Sequence, residues 1–140
     1  MTLYSQFRSG LLKHIKMEEN VVIPAVVKEQ EGKPLTIAQK LRTDHGAIVA
    51  LLVPPPSPTI IRALRYILAG HHRIEEGQGG LYDLSERILS EQLDQLMVEV
   101  LKVSEVPVLP HKSSPEIMEA VGRALERAGY KLSDFVTDEN

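Results

Sequence analysis

The sequence predicts an all-α fold, a helical bundle with short connections between its helices. Apolar residues recur at steps of three and four along the chain, which is the period of amphipathic helices, and they do not alternate as in strands. Aromatic residues make up 4% of the 140 residues and Trp is absent, so we expect an aliphatic core. A chain of this length is typical of one domain and can bury a sufficient core without disulfide bonds.

The first half of the chain predicts two long helices. The first helix runs from Leu3 to about Val27, and Pro24 is expected to kink it or to end it early. Gly32-Lys33-Pro34 predicts a turn, and a second helix then covers Leu35 to about Val53. The proline-rich run Pro54–Pro58 ends this helix, because successive prolines remove backbone donors and fix φ.

The middle of the chain predicts a third helix and two shorter pieces. Ser57 is a candidate N-cap, with Pro58 as the first residue of a helix that runs to about Glu76. Gly77–Gly80 breaks this helix. The segments Leu81–Leu89 and Glu91–Val103 are then expected to be helical.

The last third of the chain predicts a C-terminal extension of the bundle. Val106–Pro110 is expected to be extended, Ser114–Ala128 to be a final helix, and Phe135–Asn140 to be a frayed acidic tail. We therefore expect a bundle over residues 1–104. Residues 105–140 then form a linker, helix and tail that pack on the bundle or beside it.

Composition excludes several classes of function. The chain has 16 Lys and Arg and 19 Asp and Glu, and this net charge of −3 argues against electrostatic binding of the whole domain to nucleic acid or to an anionic membrane. The absence of cysteine excludes disulfides, thiolate metal sites and cysteine nucleophiles. No apolar run approaches the roughly 18 residues of a membrane span, and the first residues lack the layout of a signal peptide. We expect a cytoplasmic protein.

Three histidines and two glutamates fall on the apolar faces of three different helices. With the helical period, His14, His45 and His71 each lie on a stripe of core-facing residues, and Glu18 and Glu75 follow a histidine by four residues. Burial of a charged carboxylate without a counterion costs several kcal/mol, unless the carboxylate becomes protonated. Imidazoles and carboxylates from facing helices are how helical bundles hold metal ions, so the pattern predicts a metal site.

The same segments resemble a known family. His14-Ile15-Lys16-Met17-Glu18-Glu19 followed by Val22-Ile23-Pro24 is similar to the His-x-x-x-Glu-Glu motif of hemerythrin-like, or HHE cation-binding, domains. Asp44-His45 resembles the second motif of that family, and His71-His72-Arg73-Ile74-Glu75-Glu76 with Leu81-Tyr82 resembles the second His-x-x-x-Glu-Glu block.

The resemblance implies a fold and a cofactor. It implies an up-down helical bundle around a non-haem iron centre of one or two ions, with another divalent metal as the alternative. His14, His45 and His71 would be terminal ligands, and Glu18 and Glu75 would bridge two metals. O2, NO or another small ligand would bind at the metal.

The chain also departs from the family pattern. We expect no counterpart of the first helix of the family or of the histidine which that helix donates, and Val49 stands where oxygen carriers have a further histidine. A missing helix leaves an apolar face uncovered, and such a face needs a cover. The amphipathic segments Glu91–Val103 and Ser114–Ala128 could fold back over it, or a second copy could pack on it around a two-fold axis. We expect the second, a homodimer that buries the first helix of this chain.

Five other side chains are weaker candidates for a role at the site. Glu76 is the reserve for Glu75, and His72 is expected on the surface. His111 is expected in a loop, with ligation by a folded-over loop as the alternative. Asp44 is interpreted as a surface acid near Lys40, with orientation of an imidazole as the alternative. Tyr82 is interpreted as a packing residue, with lining of the site as the alternative.

Three functions remain open from the sequence. The first is a hemerythrin-like metal protein that senses or handles oxygen, nitric oxide or iron. The second is a di-metal enzyme that acts on O2, peroxide or NO, for which an open coordination position is needed. The third is a metal-free helical module whose C-terminal helix binds a partner.

Overall fold

The computed structural model describes residues 2–29, 36–78, 80–89, 91–107 and 109–136. Helices contain most of these residues, and none of them lies in a β-strand. The predicted all-α fold is therefore confirmed. Within the same residues, no helix is both long enough and apolar enough to cross a membrane.

The described residues form α-helices of 7 to 19 residues. They are α1 (Leu3–Met17), α2 (Ile23–Glu29), α3 (Thr36–Leu51), α4 (Pro58–Glu76), α5 (Leu81–Ile88), α6 (Leu93–Leu101) and α7 (Pro115–Arg127). A π-helical turn, Glu18–Val22, joins α1 to α2, and a 3-10 turn, Leu132–Phe135, follows α7.

The first predicted helix continues past Pro24, so of the two expectations for Pro24, a kink or an early end of the helix, the early end is wrong. Helical conformation runs from Leu3 to Glu29, and the π turn lies immediately before the proline. At this turn the N–H of Ile23 donates to the carbonyl oxygen of Glu18, a step of five residues instead of four. The wider turn displaces the carbonyl groups that a proline ring meets inside an α-helix, and the helix can therefore go on.

The other predicted helices lie within two residues of the observed ones, and their caps explain where they begin. The Ser57 hydroxyl accepts the N–H of Ile60 at 3.2 Å, and the Ser114 hydroxyl accepts that of Ile117 at 3.3 Å. Pro58 and Pro115 are the first residues of α4 and α7, as expected for proline. The predicted Gly32-Lys33-Pro34 turn and most of the predicted acidic tail lie outside the described residues.

The chain divides into two compact units, Met1–Gln39 with Arg73–Val108 and Lys40–His72 with Leu109–Asn140. In the first unit, α2 packs against α5, and the π turn packs against α6. Its buried apolar side chains belong to Ile15, Val22, Ile23, Val26, Ala38, Leu81 and Leu89.

The second unit holds most of α3, most of α4 and the whole of α7. Its buried apolar side chains are aliphatic, as the composition predicts. They belong to Leu41, Ala47, Ile48, Leu51, Leu52, Ile60, Ala63, Leu64, Ile67, Val121, Ala124, Leu125 and Ala128. Polar contacts also hold the C-terminal segment in this unit, since Arg62 donates to the carbonyl oxygen of Phe135 at 2.8 Å and Lys40 to that of Ala128 at 2.9 Å.

Candidate metal centre

Four of the five predicted ligands are buried in the aliphatic interior. The exposed fractions of His45, His71, Glu18 and Glu75 are 3%, 2%, 0% and 1%. His14, at the end of α1, differs from them because its side chain is 37% exposed. The helical period therefore correctly predicted that His45, His71, Glu18 and Glu75 are buried, whereas His14 lies at the margin of the core.

The four buried side chains form one group that could hold a metal ion. One ligand atom from each of Glu18, His45, His71 and Glu75 lies within 4.8 Å of the ligand atoms of the others. His71 and Glu75 are one turn apart on α4, and Glu18 is the first residue of the π turn. The carboxylates and imidazoles provide two oxygen and two nitrogen donors, a set that suits iron, manganese or zinc.

The two buried imidazoles approach each other through their Nε2 atoms. His45 Nε2 and His71 Nε2 are 3.1 Å apart, and the ring planes are inclined at 63°. Two donors bound to one metal at about 2.1 Å lie about 3.0–3.4 Å apart for octahedral and tetrahedral angles. The spacing of the two nitrogens therefore fits a shared metal ion.

Asp44 is buried, so its interpretation as a surface acid is wrong. Its carboxylate accepts hydrogen bonds from Lys40 Nζ at 2.9 Å and from the Tyr130 hydroxyl at 3.0 Å. Its second oxygen lies 3.5 Å from His71 Nδ1. A carboxylate on the Nδ1 side favours a proton there, which leaves the Nε2 lone pair of His71 for a metal.

The charge of Asp44 is maintained by its neighbours. Burial alone would raise the pKa of this carboxyl group, but the contacts with His71 and Lys40 outweigh burial and hold the pKa below its usual value. Asp44 therefore stays ionised in the interior and can act on His71 as a negative charge.

The two buried glutamates are joined by Tyr82, so the interpretation of Tyr82 as a packing residue is wrong. Its hydroxyl lies 2.8 Å from Glu18 Oε1 and 2.7 Å from Glu75 Oε2. A phenol has one proton and can donate it to only one of these oxygens at a time. Burial and the two carboxylates raise the pKa of Tyr82, because a phenolate beside them would be repelled.

His14 adds a positive charge beside the same carboxylates. Its Nε2 lies 2.5 Å from Glu18 Oε1 and 3.5 Å from Glu75 Oε2. These contacts, that with Glu18 first, raise the pKa of His14 to about 10. The imidazole is therefore protonated at neutral pH beside the two carboxylates, a place that equally suits a metal cation.

A tight turn places Tyr82 at the carboxylates. Gly80 precedes α5 and follows the end of α4 so closely that a Cβ on it would press on the carbonyl oxygen of Ile74 and lie 2.9 Å from that of Glu75. Only glycine fits this approach without a shift of the backbone. Leu81 is buried next to it and anchors the first turn of α5.

The remaining predicted residues lie apart from the buried group. His72 and Glu76 are exposed, as their positions on the polar face of α4 predict. His111 lies in the loop between α6 and α7, where its Nδ1 donates to the carbonyl oxygen of Val53 at 3.3 Å. The role of each of the five predicted residues as a metal ligand stays a prediction.

We compared the chain with protein-family models, with curated proteins and with solved structures, and none of the three comparisons gave a match.

Proposed function

We propose that this protein is a non-haem metal protein of the hemerythrin-like kind, which binds iron and uses it to sense or handle oxygen or nitric oxide. The observation that carries the proposal is the buried group of Glu18, His45, His71 and Glu75. Two carboxylates and two imidazoles in an aliphatic interior are costly to bury, and a cation offsets that cost.

Iron fits this donor set. Imidazole and carboxylate donors suit iron, and centres with two histidines, a carboxylate and open positions are typical of non-haem iron. Bound iron would supply a redox-active centre with room for a small ligand. Around it, Asp44 orients the imidazole of His71, and the hydroxyl of Tyr82 positions the carboxylates of Glu18 and Glu75.

A cavity beside His14 supports a small ligand of low polarity. It has a volume of about 280 Å³. Besides His14, Lys13 and Gly10, its lining consists of the apolar side chains of Met17, Val100, Leu101 and Val103. O2 and NO are small and weakly polar, so an apolar approach of this kind favours them over charged substrates.

Metal analysis tests the proposal. The protein is purified without chelator, and the metal-to-protein ratio is measured for the wild-type chain and for the Glu18→Gln/Glu75→Gln variant. We expect iron in the wild-type protein and much less in the variant. The exposed Glu76→Gln variant is the matched control and should keep the wild-type ratio. A wild-type protein that binds no iron under aerobic or anaerobic loading would refute the proposal.

The same preparation separates the alternatives. A metal-free interaction module would hold no metal and would melt at the same temperature with and without chelator. A di-metal enzyme would turn over O2, peroxide or NO with iron bound, whereas a sensor or carrier would bind the small ligand stoichiometrically. The ratio of ligand consumed to iron present therefore decides between catalysis and binding.

A further inference from the structure

Four donor atoms in the first unit lie close enough together to surround one metal ion. They are His14 Nε2, Glu18 Oε1, Glu75 Oε2 and the Tyr82 phenol oxygen. His14 Nε2 lies 2.5 Å from Glu18 Oε1, 3.5 Å from Glu75 Oε2 and 3.3 Å from the phenol oxygen. The phenol oxygen lies 2.8 Å and 2.7 Å from the two carboxylate oxygens. Ligands of one ion at about 2.1 Å are about 3.0–3.4 Å apart, so the three shortest contacts would lengthen by about 0.2–0.5 Å when an ion binds.

We propose that the phenol oxygen of Tyr82 is a ligand of a ferric ion, which it holds together with His14, Glu18 and Glu75 at a second metal position of the centre. This inference rests on the proposed function, because it assumes that iron binds. It adds a donor from α5 to the five predicted ligands. Tyr82 would be the fourth protein donor at this position, and it does not belong to the core-facing stripes on which the other ligands were predicted.

The chemistry of the step is a simple exchange. As the ferric ion binds, the O–H bond of Tyr82 and the Nε2–H bond of His14 break, bonds from iron to the phenol oxygen and to Nε2 form, and both protons leave to solvent. No oxidant or reductant is needed when the metal arrives in the ferric state. Anionic oxygen donors suit a hard ferric ion, and tyrosine serves as an iron ligand in other proteins.

The fold holds Tyr82 in place for this role. Gly80 and the buried Leu81 fix the start of α5 against the end of α4, and Tyr82 is the second residue of α5. A side chain on a helix that is fixed at its first turn keeps its position better than one on a free loop. The phenol therefore remains at the carboxylates when they bind a cation.

The experiment uses the full chain, stripped with a chelator and loaded with ferric citrate. Visible absorption and resonance Raman spectra are recorded, and the iron-to-protein ratio is measured. We expect a visible phenolate-to-iron charge-transfer band with phenolate ring vibrations in the Raman spectrum. Tyr82→Phe should abolish the band and lower the ratio. Tyr66→Phe is the matched control, because Tyr66 is largely exposed, and it should keep both.

The outcomes separate this inference from the proposed function. A wild-type protein that holds ferric iron but shows no phenolate band would overturn the role of Tyr82 and leave the metal site intact. Retention of the band in Tyr82→Phe would do the same. Failure of the wild-type protein to take up iron would overturn both proposals. The wild-type Raman spectrum needs no variant, so a misfolded Tyr82→Phe does not affect that arm of the test.

Discussion

Replacement of Asp44 by asparagine should lower the free energy of unfolding by about 2 kcal/mol. The carboxylate is fully buried and accepts hydrogen bonds from Lys40 at 2.9 Å and Tyr130 at 3.0 Å. A hydrogen bond to a charged group contributes about 1.5–3 kcal/mol, and one between neutral groups about 0.5–1.5 kcal/mol. The variant loses one acceptor and the charge. Each of the two hydrogen bonds to Oδ1 therefore weakens by about 1–1.5 kcal/mol. We take about 2 kcal/mol, the low end of the sum, because the Lys40 side chain is 40% exposed and can return to water.

Urea denaturation of chelator-treated protein at pH 7 measures this effect. The matched control is Asp83→Asn, because Asp83 pairs with Arg87 across one turn of α5 at 3.8 Å with both side chains exposed. An exposed pair of this kind contributes about 0.3–0.5 kcal/mol, so the control should change little. Equal effects of the two substitutions would refute the reasoning.

The pH dependence of the same difference gives a second check. The pKa of Asp44 is lowered in the folded protein, so its stabilising contribution is present above the unfolded value of about 3.9. This contribution is lost as the pH falls through the folded value. The difference between the wild-type and Asp44→Asn proteins should therefore shrink in acid. A difference that grows in acid would show that the carboxylate is not the source.

Four further outcomes are expected. Glu18→Gln with Glu75→Gln removes two buried charges, of which the His14 proton balances only one, so the chelator-treated variant should melt at a higher temperature than the wild-type protein; a lower melting temperature would contradict the reasoning. The raised pKa of His14, about 10 against 6.5, stabilises the folded protein fully below pH 6.5 and ceases to do so as the pH rises through 10. The urea midpoint of chelator-treated protein should fall over this window, and His14→Gln should flatten the fall. Gly80→Ala should cost about 1–3 kcal/mol by overpacking. Gly122→Ala, whose Cβ meets open space within α7, should raise the free energy of unfolding by about 0.5–1 kcal/mol. If both glycine substitutions raised or both lowered the free energy of unfolding, this reasoning would be wrong. Sedimentation at micromolar concentration should show a homodimer that covers the exposed apolar side chains of α1, and a 15.6 kDa species would contradict it.

The helical period predicts which site residues are buried, because the face of a helix on which a residue lies depends only on its spacing from neighbours in the sequence. Residues three and four apart lie on one side of a helix, so the spacing of His45, His71, Glu18 and Glu75 along the chain is enough to group them with the core residues. Helix starts are predictable for a similar reason, since Ser57 caps the residues directly after it. These inferences need no knowledge of how helices pack.

The two wrong interpretations at the site, those of Asp44 and Tyr82, concern side chains whose contacts join distant parts of the chain. Asp44 follows Lys40 by one turn, which by itself indicates a surface pair, and its burial is accompanied by the contact with Tyr130, 86 residues later. Tyr82 reaches the carboxylates because the chain turns tightly at Gly80. No periodicity indicates either contact. A polar residue next to a predicted ligand and a tyrosine just after a glycine turn were the available signals.

Charge balance at the carboxylates explains how the chain can fold around them and still favour a cation. Glu18 and Glu75 bring two negative charges when ionised, and the raised pKa of His14 brings one positive charge at neutral pH. The Tyr82 proton lies between the carboxylates but adds no charge. One negative charge thus remains to be compensated around these four groups. A divalent ion that replaces the His14 proton leaves these four groups neutral, and so does a ferric ion that replaces the Tyr82 proton as well. The hydrogen bonds therefore hold the donors together, and the remaining charge is what attracts the metal.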